Sequence, residues 1–188
     1  IIILSLCFLT SSKADDIRDF QIDGMSIGDS LLDYFTLDEI KESLKNPSFY
    51  KNNKFVVIFI NKISSEYERI QVTIKPDDNN YIIYSIDGIL DFNNKIDECN
   101  KKRADIIKDL ENLFQNLKRS EENKKFEADK SGQSFTYGTW FFLETGGFFS
   151  LTCTKMGQEV RKKNGWTDEL SISVSNKEFK NFLLNEAY

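Results

Sequence analysis

The sequence predicts an α+β domain, with a curved antiparallel sheet of about six strands in two meanders packed on one long central helix and short helices at both ends. Two observations carry that prediction. Across residues 94–118, Ile96, Cys99, Arg103, Ile106, Leu110, Leu113 and Leu117 recur at spacings of three and four, and Ile107 and Phe114 widen the stripe. That is the pattern of a helix with one buried face. Strand-like segments lie on both sides of it in the chain, and at 1.5 Å per residue the helix would run about 37 Å, enough to cross a whole sheet. A chain of 188 residues with 40% apolar content buries one sizeable core, so residues 15–188 read as a single domain.

The first nine residues are almost all apolar, and Ser12-Lys13-Ala14 places small residues before a cut ahead of Asp15. Residues 1–14 therefore read as a signal peptide without its basic leader. A run of this length is too short for a transmembrane anchor, which needs about 20 apolar residues.

Residues 15–23 offer Ile17, Phe20 and Ile22 as a short edge strand. Gly24 breaks it, and Ser26 with Asp29 forms a capping-box pattern for a short helix carrying Ile27, Leu31, Tyr34 and Phe35. Thr36 with Glu39 repeats the signal for a second helix, which Asn46-Pro47 stops. Residues 55–60 are apolar on both faces and read as a covered central strand. Residues 69–74 alternate, 75–80 make a turn into a strand at 81–86, and Asp87-Gly88 reads as a bulge or bend before 89–92. Beyond the long helix, the charged stretch 118–134 reads as a frayed helix end and mobile loop. Two aromatic-rich strands, 137–144 and 148–154, flank the turn Thr145-Gly146-Gly147. A basic loop at 155–167 holds Trp166. Leu170, Ile172 and Val174 alternate in a last strand, and Ser175 with Glu178 caps a closing helix whose Phe179, Phe182 and Leu183 share a face.

Removing the leader leaves Cys99 and Cys153 as an even pair in an exported chain, which predicts a disulfide between the long helix and a later strand. It also removes Lys13, so 24 basic residues face 30 acidic ones and the net charge moves from −5 to −6. That balance argues against a nucleic-acid partner. The sequence contains no histidine, which excludes Ser-His-Asp and Cys-His nucleophile systems and His-bearing zinc sites. Asp77-Asp78-Asn79-Asn80 supplies oxygen atoms but no EF-hand spacing and falls where a hairpin turn is needed. No catalytic, metal or cofactor residue is nominated. Candidate binding residues are the aromatics Trp140, Phe142 and Trp166, since six aromatics on one hairpin exceed what one helix face covers.

The block Asp19-Phe20-Gln-Ile-Asp-Gly-Met-Ser-Ile-Gly-Asp-Ser-Leu-Leu-Asp-Tyr-Phe35 resembles a family of small exported proteins from marine bacteria with compact, low-GC genomes. The family carries no assigned activity, so the resemblance implies a compartment and no mechanism. The run from Gly24 through two capped helices into a meander is also similar in pattern to the small lipoproteins of the outer-membrane barrel-assembly machinery. Their Leu-Gly-x-Pro helix ending is replaced here by Tyr34-Phe35-Thr36-Leu37.

The expectation is a periplasmic or secreted, non-enzymatic binding domain, with an envelope protein or a small apolar ligand as partner. The ligand would sit in an aromatic-lined cavity between sheet and helix. The rival reading is a hydrolase working through paired carboxylates, which acids converging in a pocket with raised pKa values would favour.

Overall fold

The computed structural model describes residues 17–50, 52–60, 66–113, 117–126 and 129–187. The leader, Cys7, the cut ahead of Asp15 and Phe114 lie outside them. The described chain is α+β, with an eight-stranded antiparallel sheet, a two-stranded hairpin and four α-helices.

The N-terminal block folds differently from its prediction. A single 3₁₀ turn, Ile17–Asp19, precedes β1 (Gln21–Ile22) and β2 (Met25–Ser26), which pair as a hairpin. Asp23 and Gly24 at its tip have φ of 52° and 81°, the left-handed pair that a tight two-residue turn demands. Ser26 therefore lies in a strand rather than at a helix cap. Asp29 still accepts from the Ser26 backbone N–H at 2.9 Å, but only a 3₁₀ turn, Leu31–Asp33 capped by Ser30, follows. The second capping box is real: α1 (Leu37–Ser43) starts at Thr36, whose side chain and that of Glu39 satisfy each other's backbone.

The large sheet runs β3 (Ser48–Phe49), β4 (Val56–Ile60), β5 (Arg69–Ile74), β6 (Ser85–Asp91), then β10 (Glu169–Ser175), β9 (Phe148–Lys155), β8 (Phe135–Phe142) and β7 (Lys118–Lys125). Each chain half is thus a meander, and the halves meet where β6 pairs β10. Eight strands replace the expected six. The Asp87-Gly88 pair is no bend but lies inside an unbroken ladder, Gln71↔Asp87 and Ile70↔Gly88. A Cβ on Gly88 would come within 2.4 Å of the Tyr67 ring, so the glycine makes room for an aromatic rather than for a turn. The charged stretch after the long helix is β7, paired with β8 along its whole length and exposed throughout. Charged residues suit a sheet edge, where they discourage further pairing. β4 is covered on one face only, and Phe59 on the other is 40% exposed.

The helix α2 spans Ile96–Leu113, shorter than predicted, and it is one of four. From β6 in mid-sheet it carries the chain across β10, β9 and β8 to the far edge. It packs chiefly on β9 and β10, not on the whole sheet. The N-terminal segment covers the rest of that face, so Ile22, Met25, Leu31 and Ile40 share one core with Val56, Ile58, Val72, Ile86, Ile107, Leu110 and Leu151. Cys99 in α2 and Cys153 in β9 form a disulfide with Cα atoms 6.0 Å apart, as the cysteine count predicts. The stretch 155–167 is not wholly loop: α3 (Gln158–Asn164) ends on Gly165 with φ 71°. α4 (Lys177–Asn185) is capped by Asn176 rather than Ser175. No helix of the described residues is long and apolar enough to cross a membrane.

Candidate binding face

The two faces of the sheet differ in chemistry. Under α2, β8 presents Tyr137, Thr139 and Phe141, and Arg103 of α2 donates to Thr139 Oγ1 at 3.1 Å. Strand alternation then turns Thr136, Gly138, Trp140 and Phe142 to the opposite face. α4 lies on that opposite face at one end. Phe179 and Phe182 pack on Phe55, with ring centroids 5.1 and 4.9 Å apart. Lys180 Nζ is 5.8 Å from the Phe142 ring centre. Lys75 and Lys54 of the first meander pair with Glu178 and Glu186 at 2.8 and 3.1 Å, which fixes the helix along this end.

Beyond α4 this face is mostly polar between its flanking aromatics, with Ile89 buried between Arg69 and Ser171. The register aligns one residue from each of six strands level with one another: Phe59, Gln71, Asp87, Ser173, Ser150 and Trp140. An aromatic ring stands at each end of the row, with an amide, a carboxyl and two hydroxyls between. Ser171 and Thr152, one row over, face each other across β10 and β9, and the Ser171 and Ser173 hydroxyls are 3.3 Å apart. Phe59 is exposed, Ser150 is buried, and Gln71, Asp87, Ser173 and Trp140 keep partial contact with solvent.

Asp87 is the electrostatically distinctive group. Desolvation by the surrounding sheet pushes its carboxyl up to about 6, against the opposing pull of a hydrogen bond with Ser173. Arg69 marks the other end of the face. It bridges Asp91 at 2.6 Å and Glu169 at 2.7 Å, so both acids are already partnered. Burial pushes Glu169 up while Arg69 pulls it down.

The candidate aromatics separate. Trp140 and Phe142 share this face, and Phe142 also neighbours Phe148, with centroids 6.3 Å apart. Trp166 lies at the opposite end of β8, its ring 6.2 Å from that of Phe126, which follows β7. Arg161, read from sequence as part of an exposed basic loop, turns inward instead. It pairs with the buried Asp168 and donates from Nε to the Met156 carbonyl at 2.6 Å. The acid-rich turn 77–80 is structural, with Asp78 accepting from the Asn80 and Ile82 backbones at 2.9 and 3.2 Å. Among the described residues no group of three or more acids, cysteines or histidines is placed to hold a metal ion.

Asp87, Ser150, Ser171 and Ser173 were not nominated by sequence. Their signal was present as the polar half of each strand's alternation. An outward-facing polar residue carries no mark of which residue on another strand will stand beside it.

No family model, no curated protein and no solved structure matches this chain.

Proposed function

We propose that this chain is an exported, non-catalytic binding domain whose ligand lies on the open sheet face, across the row from Phe59 to Trp140. The row itself is the observation that carries the reading. A solvated sheet face is ordinarily dressed in long charged side chains, as β7 is here. This row instead offers rings, hydroxyls, an amide and a carboxyl that is costly to ionise where it stands. Such a carboxyl, sitting among converging polar groups, is characteristic of functional surfaces.

Two rival readings are less well supported. Paired carboxylates for glycoside hydrolysis stand about 5 to 9.5 Å apart. Level with Asp87 on the adjoining strands are Gln71 and Ser173. Asp91 and Glu169, four residues further along, do face each other across β6 and β10, but both are engaged by the Arg69 guanidinium that lies between them. A small apolar ligand between sheet and α2 finds the aromatics on that side, Phe141 and Phe149, already packed in the core, whereas Trp140 and Phe142 face away from it. Export is supported by the leader-like N-terminus and by the disulfide, which persists in oxidising compartments; the family resemblance of the 19–35 block points the same way.

The test is affinity capture from envelope extract with the wild-type chain and with Asp87→Asn and Trp140→Ala. Capture that both substitutions abolish while neither lowers the melting temperature by more than a few degrees is the expected result. Capture indifferent to both removes the reading.

A further inference from the structure

We infer that the ligand of this face is a neutral oligosaccharide lying across the strands, with a sugar ring against Trp140 at one end and against Phe59 at the other. This rests on the reading of the face as a binding surface and adds the class of ligand.

The inference follows from what the face offers. Backbone N–H and C=O groups of β5, β6, β10, β9 and β8 have a paired strand on either side, so across these strands a peptide finds no edge to extend; β3 pairs only Val56 and Val57 of β4, which confines any such edge to the Phe59 end of the row. Only side chains are presented. Between the two rings Gln71, Asp87 and Ser173 reach solvent, groups that donate to and accept from hydroxyls, while Ser150 lies buried in the floor of the row. A pyranose has the matching shape, with a face of C–H bonds to lie on an aromatic ring and a rim of hydroxyls.

Charge selects against the alternatives. The only arginine side chain on this face among the described residues, Arg69, is held by two carboxylates, and no lysine stands in the row. Asp87 repels an anion when ionised and donates a proton to a hydroxyl acceptor when neutral. A neutral polyol satisfies it in either state, whereas phosphate or sulfate esters do not.

Geometry sets the length. Five strand spacings separate Phe59 from Trp140, on the order of 24 Å, so one ring cannot touch both aromatics and an oligomer can. The far edge of the Trp140 indole lies over Gly138, which keeps the ring against the strand as part of the floor.

The test uses the full chain carrying Trp166→Phe, so that Trp140 is the sole tryptophan reporter. The probes are linear neutral oligomers of glucose and of N-acetylglucosamine with two, four and six units, alongside heparin and a neutral polar peptide. A saturable change in Trp140 emission is expected with the hexamer of at least one series, with affinity at least about tenfold tighter than for its dimer. By calorimetry, Trp140→Ala weakens hexamer binding by about tenfold or more, and Phe59→Ala weakens the hexamer but not the dimer. If Trp140→Ala fails to fold, Asp87→Ala and Phe59→Ala carry the comparison. No binding of any neutral oligomer, or tighter binding of heparin or the peptide, overturns the inference. Should capture from extract still depend on Asp87 and Trp140 in that case, the saccharide assignment falls and the binding face stands. Should capture be indifferent to both residues, the two fall together.

Discussion

Trp140 occupies the space that a side chain on Gly138 would need, with its Cη2 atom 2.2 Å from where a Cβ would stand. Glycine in a strand ordinarily weakens it, and replacement by alanine gains about 0.5–1 kcal/mol. Here the sign reverses. Gly138→Ala forces the indole off the strand and is expected to cost about 1–3 kcal/mol through overpacking. The same variant turns Trp140 outward, so its emission moves to longer wavelength in a Trp166→Phe background. A stabilised variant with unchanged emission contradicts this placement.

Asp87 ties stability to pH. Its carboxyl is raised from 3.8 to about 6, so between those values the native state binds more protons than the unfolded one, and stability falls as pH rises. The full cost is present above about pH 6 and absent below about pH 4. Asp87→Asn removes a carboxylate but keeps the shape, and is expected to stabilise the protein by about 1–3 kcal/mol at pH 7. At pH 4 the advantage should vanish. Denaturant titrations of both proteins at the two pH values measure it.

Reduction of the Cys99–Cys153 bond, whose partners are 54 residues apart, is expected to cost about 4 kcal/mol if loop closure in the unfolded chain dominates. The Cys99→Ala/Cys153→Ala protein should show a lower denaturant midpoint that reductant no longer changes. A midpoint equal to that of the oxidised wild type would mean α2 is held on β9 and β10 by packing alone.

Asp168 is buried and accepts from the Met156 backbone N–H at 2.8 Å as well as from Arg161. Asp168→Ala strands the Arg161 cation and an amide, and about 3–5 kcal/mol of destabilisation is expected. Arg161→Met with Asp168→Leu, which removes both charges, should recover much of the loss in a thermal melt.

These residues also mark how far the sequence could be read. The α2 stripe and its disulfide were legible because helical periodicity is local and two cysteines admit one pairing. β7 was not, because an edge strand exposed on both faces carries no alternation, and only its backbone pairing with Phe135–Phe142 makes it a strand. Ser26 and Asp29 do make the hydrogen bond of a capping box, yet Ile27 and Leu31 serve the core from a turn, so a true local signal gave the wrong element. Asp87-Gly88 imitates a bend until Tyr67, from the neighbouring strand's approach, is seen to fill the space. The row across the sheet was illegible for a different reason: Ser173 stands beside Asp87 only because β10 pairs β6, and nothing near either residue encodes that partner.

The insertion of β10 between β6 and β9 sets an order of events in the making of the molecule. Its seven residues follow every other strand of the sheet in the chain, and its partner β6 lies some 80 positions earlier. Contacts so far apart close slowly. Until they do, the two meanders are separate ribbons with long unprotected borders on β6 and β9, the kind of surface along which copies stick to one another. The row from Phe59 to Trp140 is also cut in two, with Phe59, Gln71 and Asp87 on one ribbon and Ser150 and Trp140 on the other. The row is therefore whole only once β10 is in place, and a copy truncated before β10 would be prone to clump.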